Sequence, residues 1–222
     1  MRRTGQTPAR ALAEALAEAG RSYYARGWVL GTSGNFSAVV SRQPLRLVIT
    51  PSGADKGALA PAQFLLLDGS ARALRGRARP SAEALLHLTI VSLRGAGAVM
   101  HTHSVWSTLL SQQFAAEGGL GIAGYEMLKG LAGVTTHEHR EWLPIIENSQ
   151  DMEWLAARVA EAAQRFPDSH AFLLRGHGMY TWGEDVAEAR RHVEILEFLL
   201  EVVGRSRAGS AAEAPGATQR RK

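Results

Sequence analysis

Three histidines stand out for where they fall. His101-Thr102-His103 closes the small, apolar run 96–103, and His177 sits between Gly176 and Gly178 just after a second apolar run, 171–175. In an extended strand, residues i and i+2 point to the same face, so two imidazoles at this spacing converge on one ion without bending the backbone. Zinc accepts imidazole nitrogen, and a catalytic zinc site keeps three protein ligands and one open position. His101, His103 and His177 are therefore the candidate metal ligands, with the flanking glycines letting the His177 backbone turn sharply and approach closely. Spacing alone does not separate ligands from ordinary histidines. His137-Glu138-His139 repeats the pattern among Thr, Glu and Arg and reads as an exposed loop, while His170 and His192 read as a strand edge and a helix face. His87 follows Glu83 by four residues on one predicted helix, so the two side chains share a face and suit either support of a site or a plain core role.

The elements that must carry these residues are legible in outline. Thr7-Pro8 has the form of a helix start, and Leu12, Leu16, Ala19 and Tyr23 continue it as an apolar stripe that ends at Gly27. The β-branched runs 37–41 and 45–50, separated by Gln43-Pro44, predict a hairpin between the glycine-bearing loops 31–35 and 50–53. Pro80-Ser81 opens a second helix that stops at Gly95. The run 96–103 predicts a buried strand, followed by a helix from Ser104, a glycine-rich passage, a short helix containing Glu126 and a strand at 143–146. A helix over 152–165, a strand over 171–175 and a final helix over 184–203 complete the pattern. Strands and helices alternate without strict regularity, which indicates an α/β or α+β chain in three layers.

Bulk composition sets limits. The 222 residues are 45% hydrophobic, enough for one sizeable core and hence one domain over residues 1–203. Cysteine is absent, which removes thiolate metal sites and disulfides and fits a reducing compartment. No run approaches the roughly 18 apolar residues of a membrane span, and the basic Met1-Arg2-Arg3 leads into an amphipathic segment, so the chain reads as cytoplasmic. The net charge of +4 invites a nucleic-acid reading. All of it resides in residues 204–222, however, and residues 1–203 sum to zero. That Ala/Gly/Ser-rich basic tail is expected to be disordered, and the body shows no clustered basic and aromatic residues of the kind that grip nucleic acid.

Read together, the motifs Gly31-Thr-Ser-Gly-Asn-Phe-Ser37, Thr50-Pro-Ser-Gly53, Ser81-Ala-Glu83 with His87, His101-Thr-His103 and Gly176-His-Gly178 occur in an order that resembles the class II (zinc) aldolase/adducin-head family. The likeness spans residues 9–203. The segments 94–104, 125–130, 143–148 and 177–183 are most similar to the branch of that family that dehydrates 5-methylthioribulose 1-phosphate in methionine salvage. The resemblance implies a three-layer α/β/α sandwich with a central, mainly antiparallel sheet. It also implies a homotetramer with active sites near subunit interfaces, and one zinc per subunit on His101, His103 and His177. By the same likeness, Glu126 is the proton-transfer residue, and Glu83 is a metal-site or second carboxylate. Ser33, Asn35, Ser52, Gly53 and Ser81, with Lys56 nearby, would cradle the substrate phosphate through hydroxyls and backbone N–H groups. Ala82 stands where the aldolases of the family carry a second serine, which removes one phosphate contact and counts against aldol cleavage. The rival activities are a sugar-phosphate aldolase or ribulose-phosphate 4-epimerase sharing the same metal and phosphate sites, and a non-catalytic binding module of the same fold.

Overall fold

A computed structural model of the chain describes residues 8–75 and 78–212. The basic first residues, the Thr7 cap and the segment beyond Ala212 lie outside the described residues. The elements run α1 (Pro8–Ala25), β1 (Asn35–Arg42), β2 (Leu45–Ile49), β3 (Leu65–Asp68), β4 (Ala73–Arg75), α2 (Ala84–Arg94), β5 (Ala98–Thr102), α3 (Val105–Gln113), β6 (Gly119–Ala123), β7 (Arg140–Ile146), α4 (Met152–Arg165), β8 (Ala171–Leu174), β9 (Gly178–Gly183) and α5 (Val186–Ala212). Short 3-10 turns occur at Lys56–Ala58, Pro61–Gln63 and Glu126–Gly130.

The nine strands form one sheet in the order β4-β3-β2-β1-β5-β9-β8-β7-β6. Every neighbouring pair is antiparallel except β7 with β8, so the expected mainly antiparallel sheet is present. Two helical layers cover it. On one face, Leu86, Leu88 and Ile90 of α2 and Leu155 and Val159 of α4 pack on Leu47, Leu67, Val99 and Phe172. On the other face, α1 and the start of α5 cover Ala38, Val48, Ala98 and Met100. There too, α3 and the middle of α5 cover Leu120, Leu143, Leu173 and Met179. Each large aliphatic side chain so buried contributes roughly 1.5–3 kcal/mol, which makes both layers necessary to hold the sheet between its helices. No helix among the described residues is long and apolar enough to cross a membrane.

Several features depart from the pattern read in the sequence, among them β3 and β4, which lie in a stretch where the sequence marks no element. Residues 119–123, a glycine-rich passage on sequence, form β6, paired along β7, and Gly119 is required there because a Cβ would fall 2.3 Å from the Trp142 ring. Residues 178–183 form β9, a central strand. Residues 204–212, expected to begin a disordered tail, continue α5. Arg205 pairs with Glu201 one turn back, and the Arg207 guanidinium lies over the Phe114 ring, so the basic side chains at its start are anchored on the helix and its neighbour.

Candidate metal centre and active site

β5 sorts its side chains by alternation. Ala98, Met100 and Thr102 face α1 and α5, while Val99 and His101 face α2. His101 is fully buried, stacked on Tyr180 with ring centroids 3.9 Å apart and planes 11° apart. Its Nδ1 lies 2.9 Å from the Met179 carbonyl oxygen, an acceptor, so Nδ1 carries the proton and Nε2 presents a lone pair. His103 is the first residue past the strand. Its backbone N–H donates to the Trp28 carbonyl, and Ser104 then caps α3 and turns the chain away. The His103 and His101 Nε2 atoms are 2.8 Å apart.

His177 lies in the tight turn between β8 and β9. Gly176 adopts φ 65°, and Gly178 presses on Thr102 so that a Cβ would sit 2.1 Å from the Thr102 carbonyl oxygen. That approach sets His177 edge-on to both other rings, with centroids 5.0 Å from His101 and 4.5 Å from His103. The Asn148 side-chain oxygen takes the His177 Nδ1 at 3.2 Å, which leaves its Nε2 for the centre. One nitrogen from each ring falls within 4.8 Å of the others.

The electrostatics favour neutral rings. Burial, followed by the charges His103 and His177 would carry, holds His101 well below the usual imidazole range. Burial and His177 push His103 down to about 4, and burial lowers His177 despite the opposing Glu83 charge. Three unprotonated imidazoles, two of them tethered through Nδ1, are the donor set that a zinc-like cation needs. The residues fit the metal.

Glu83 completes this centre. It caps the start of α2, and its Oε1 lies 3.5 Å from His177 Nε2 and 3.7 Å from His101 Nε2. A buried relay fixes the other oxygen. Ser37 Oγ donates to His87 Nδ1 at 2.7 Å, His87 Nε2 donates to Asn35 Oδ1, and Asn35 Nδ2 donates to Glu83 Oε2 at 2.5 Å. Burial drives His87 down to about 3, so it stays neutral and the relay keeps one direction, ending on the carboxylate. Asn35, expected at the phosphate, has its side-chain amide engaged by His87 and Glu83.

The other predicted phosphate contacts surround the same end of the sheet. Gly34 precedes β1, whose Asn35 pairs with His101, and Pro51–Gly53 follow β2, which lies beside β1. Ser52 and Gly53 are exposed and Ser33 is half-buried. The Ser81 hydroxyl accepts the Glu83 N–H at 3.3 Å, so it is partly engaged in the helix start. Lys56 is almost completely buried. Its ammonium donates to the Thr32 carbonyl at 2.9 Å and the Ala54 carbonyl at 2.7 Å, tying the two loops together. Burial lowers it to about 8, so it remains mostly charged at neutral pH.

Glu126 is not part of this constellation within one chain. It opens the 3-10 turn after β6, is 72% exposed, and pairs with Lys129 and, at 3.9 Å, His137. The register shows why. β6 ends at Ala123 opposite Arg140, whereas the metal centre lies at the other end of β7, where Ile146 pairs with Leu174. A seven-residue strand separates its ends by roughly 20 Å at about 3.3 Å per residue. The reading of 137–139 as an exposed loop also needs correction, since His137 is exposed but His139 is tucked against the buried Glu141. Long-range pairing brings these groups together, and no local pattern marks it.

The sequence profile of the class II aldolase and adducin N-terminal domain matches residues 14–203. The chain is 47% identical over 188 residues to methylthioribulose-1-phosphate dehydratase of Methylococcus capsulatus, covering 84% of this chain and 90% of that protein. It is 42% identical over 190 residues to the protein of the same name from Marinobacter nauticus, covering 85% and 90%. Among solved structures, L-fuculose-1-phosphate aldolase from Thermus thermophilus superposes with a TM-score of 0.71 at 25% identity, covering 91% of this chain and 98% of that one.

Proposed function

This chain belongs to the class II aldolase and adducin N-terminal domain family, and we propose that it dehydrates 5-methylthioribulose 1-phosphate to 2,3-diketo-5-methylthiopentyl 1-phosphate, a hydro-lyase step of methionine salvage. The observation that carries the chemistry is the convergence of three neutral imidazoles with the Glu83 carboxylate at one end of the sheet. The substrate rests on the 47% and 42% identity to the two dehydratases.

The reaction removes the C3 proton beside the C2 ketone, expels the C4 hydroxyl as water, and lets the resulting enol take a proton at C4 to become the diketone. His101, His103 and His177 would hold one zinc ion per subunit. When bound, the ion supplies a fixed positive charge that polarises the substrate oxygens at C2 and C3. Glu83, held by the Asn35 amide, stands beside the three nitrogens as a further ligand or a second proton-handling carboxylate. Ser33, Ser52, Gly53 and Ser81, with Asn35, serve as phosphate contacts at the same end of the sheet, and Lys56 fixes both loops while adding one cation. Glu126 is the proton carrier between substrate and water. Because its own metal centre lies a strand's length away, Glu126 serves the centre of a neighbouring subunit, which requires an oligomer; a homotetramer in the cytoplasm is part of this reading.

The direct test incubates purified protein with methylthioribulose 1-phosphate and follows the diketone, with wild type and Glu126→Gln compared at matched metal content. Diketone formation by wild type and its loss in the variant support the reading. No turnover, alongside release of dihydroxyacetone phosphate from a sugar phosphate, would overturn it in favour of an aldolase.

A further inference from the structure

At the end of the sheet opposite the three histidines, a second group of ligand-type atoms converges. His139 Nε2 and His170 Nδ1 each lie 2.9 Å from the same oxygen of Glu141, Oε2. The three groups fall within 4.8 Å of one another. Glu141 is almost completely buried, and the two histidine side chains are 26% and 15% exposed. We propose that His139, Glu141 and His170 form a second divalent-cation site, distinct from the catalytic centre.

The backbone orients two of the three ligands as metal sites require. His170 Nε2 lies 2.8 Å from the Ala132 carbonyl oxygen, so it carries a proton, and Nδ1, facing Glu141 Oε2, is the atom that would bind. Glu141 Oε1 accepts the His170 backbone N–H at 2.8 Å, which turns Oε2 toward both rings. Two imidazoles and one carboxylate suit zinc, cobalt or nickel and disfavour magnesium or calcium, whose sites are built from oxygen. A cavity of about 830 Å³, lined by Arg94, Ala132, Trp182, Glu188 and His192, adjoins His139 and His170. There is therefore room for water or a small anion on the ion.

The site has a mechanical consequence. β7 and β8 pair only at Ile145–Leu173 and Ile146–Leu174, so near Glu141 and His170 no ladder joins them. A cation there would clamp the start of both strands. Through His139 it would also hold the loop whose Gly124 N–H donates to the His137 carbonyl, the loop that carries Glu126.

The experiment strips the full-length protein of metal by dialysis against a chelator and titrates it with Co²⁺ and Zn²⁺ by calorimetry and visible absorption. Wild type is expected to bind two equivalents per subunit. His177→Ala and His139→Ala should each retain one, and the double variant none. His139→Ala should weaken the second site at least tenfold, and the Zn²⁺-dependent rise in Tm that His177→Ala retains should vanish in the double variant. Anomalous scattering from Zn²⁺-soaked wild-type crystals gives the same answer without any variant, as a peak between His139, Glu141 and His170. One equivalent in wild type, abolished by His177→Ala, with no second peak, overturns the proposal and leaves the cluster as a hydrogen-bonded carboxylate between two imidazoles. If His177→Ala instead still binds as many ions as wild type, the assignment of the first site fails, a result separate from the second.

Discussion

Mixing two inactive variants should restore activity if Glu126 of one subunit serves the metal centre of another. The perturbation is a pair of single substitutions, Glu126→Gln and His177→Ala, placed on opposite sides of that division of labour. Loss of a proton-transfer carboxylate costs about 10²–10⁴-fold in rate, so the Glu126→Gln homo-oligomer should be nearly silent. His177→Ala leaves two imidazoles at the catalytic centre and should be silent as well. The register of β6 and β7 sets the expectation for the mixture, since it puts Glu126 at the opposite end of a seven-residue strand from Ile146 and Leu174. In a ring of subunits assembled at random from equal parts, each active site takes its metal half from one chain and its glutamate half from another. The metal half comes from an intact-histidine chain half the time, and the glutamate half from an intact-glutamate chain half the time. About one quarter of the sites are then fully native, and activity should rise from near zero to about 25% of wild type, whatever the ring size.

The assay co-refolds or co-expresses the two variants with different affinity tags. Native mass spectrometry verifies mixed oligomers, and diketone formation is measured against the two parents. A mixture that contains hybrid oligomers yet stays at the level of its parents would refute the reasoning, because it would mean that Glu126 and the histidines act within one chain or that Glu126 does not act at all. Full activity in the Glu126→Gln parent would do so more simply.

Other consequences concern the scaffold. Glu197 on α5 accepts the Thr102 hydroxyl at 2.6 Å, and burial raises its carboxyl from 4.5 to about 7. The folded state thus keeps a proton that the unfolded chain releases, and stability falls as pH rises from about 4.5 through about 7. Glu197→Gln, which keeps an acceptor for Thr102 but never ionises, should lose about 3 kcal/mol less than wild type across that range, read from urea melts at pH 5 and pH 8; parallel pH profiles would contradict this. Lys56→Met removes the ammonium that joins the Thr32 and Ala54 carbonyls. It should raise KM for the phosphorylated substrate about tenfold or more while kcat falls less, because the phosphate cradle serves ground and transition states alike; a fall in kcat at constant KM would point elsewhere. Gly178→Ala puts a Cβ 2.1 Å from the Thr102 carbonyl oxygen and 3.3 Å from His101 Cε1. The strand pair must spread, costing about 1–3 kcal/mol and weakening metal binding, measured as Tm and zinc content; an unchanged Tm with full zinc would show that the close approach is dispensable.

What can be read from the chain depends on whether the information is local. His101 and His103 are legible because two residues on one strand face need only a period of two, and His177 because glycines bracket it after an apolar run. The helix caps are equally local: Gly95 ends α2 at φ 62°, and Ser104 starts α3 by accepting the Ser107 N–H. β9 escapes the sequence pattern because Gly178–Gly183 is almost wholly buried on both faces, which erases the alternation that marks a half-exposed strand. The tie between Asn35 and Glu83 is invisible on sequence because the two lie 48 residues apart, and nothing near Asn35 in the chain shows where its amide points. The same holds for Glu141 and His170, 29 residues apart. Glu126 is singled out by resemblance, which names a residue but does not reveal that the strand register places it at the opposite end of β7 from the three histidines.

The placement of the three histidines also explains why so much polar material is buried beneath them. His101 cannot rotate. Its ring is stacked on Tyr180, which itself stacks on Phe172 at 5.0 Å, and its Nδ1 is tied to a strand carbonyl. Glu83 is fixed by Asn35, which is held in turn by His87 and Ser37, and Thr102, between His101 and His103, is held on the far face by Glu197. Each of these supports is a buried polar group whose loss would leave a partner unsatisfied, at about 1–3 kcal/mol apiece. A sheet needing only stability would fill those positions with aliphatic side chains. Their presence on both faces of one strand end makes sense where the geometry of a metal site must be set before the ion arrives, since a ligand sphere that has to be assembled on binding loses affinity and aims its charge less well at the substrate.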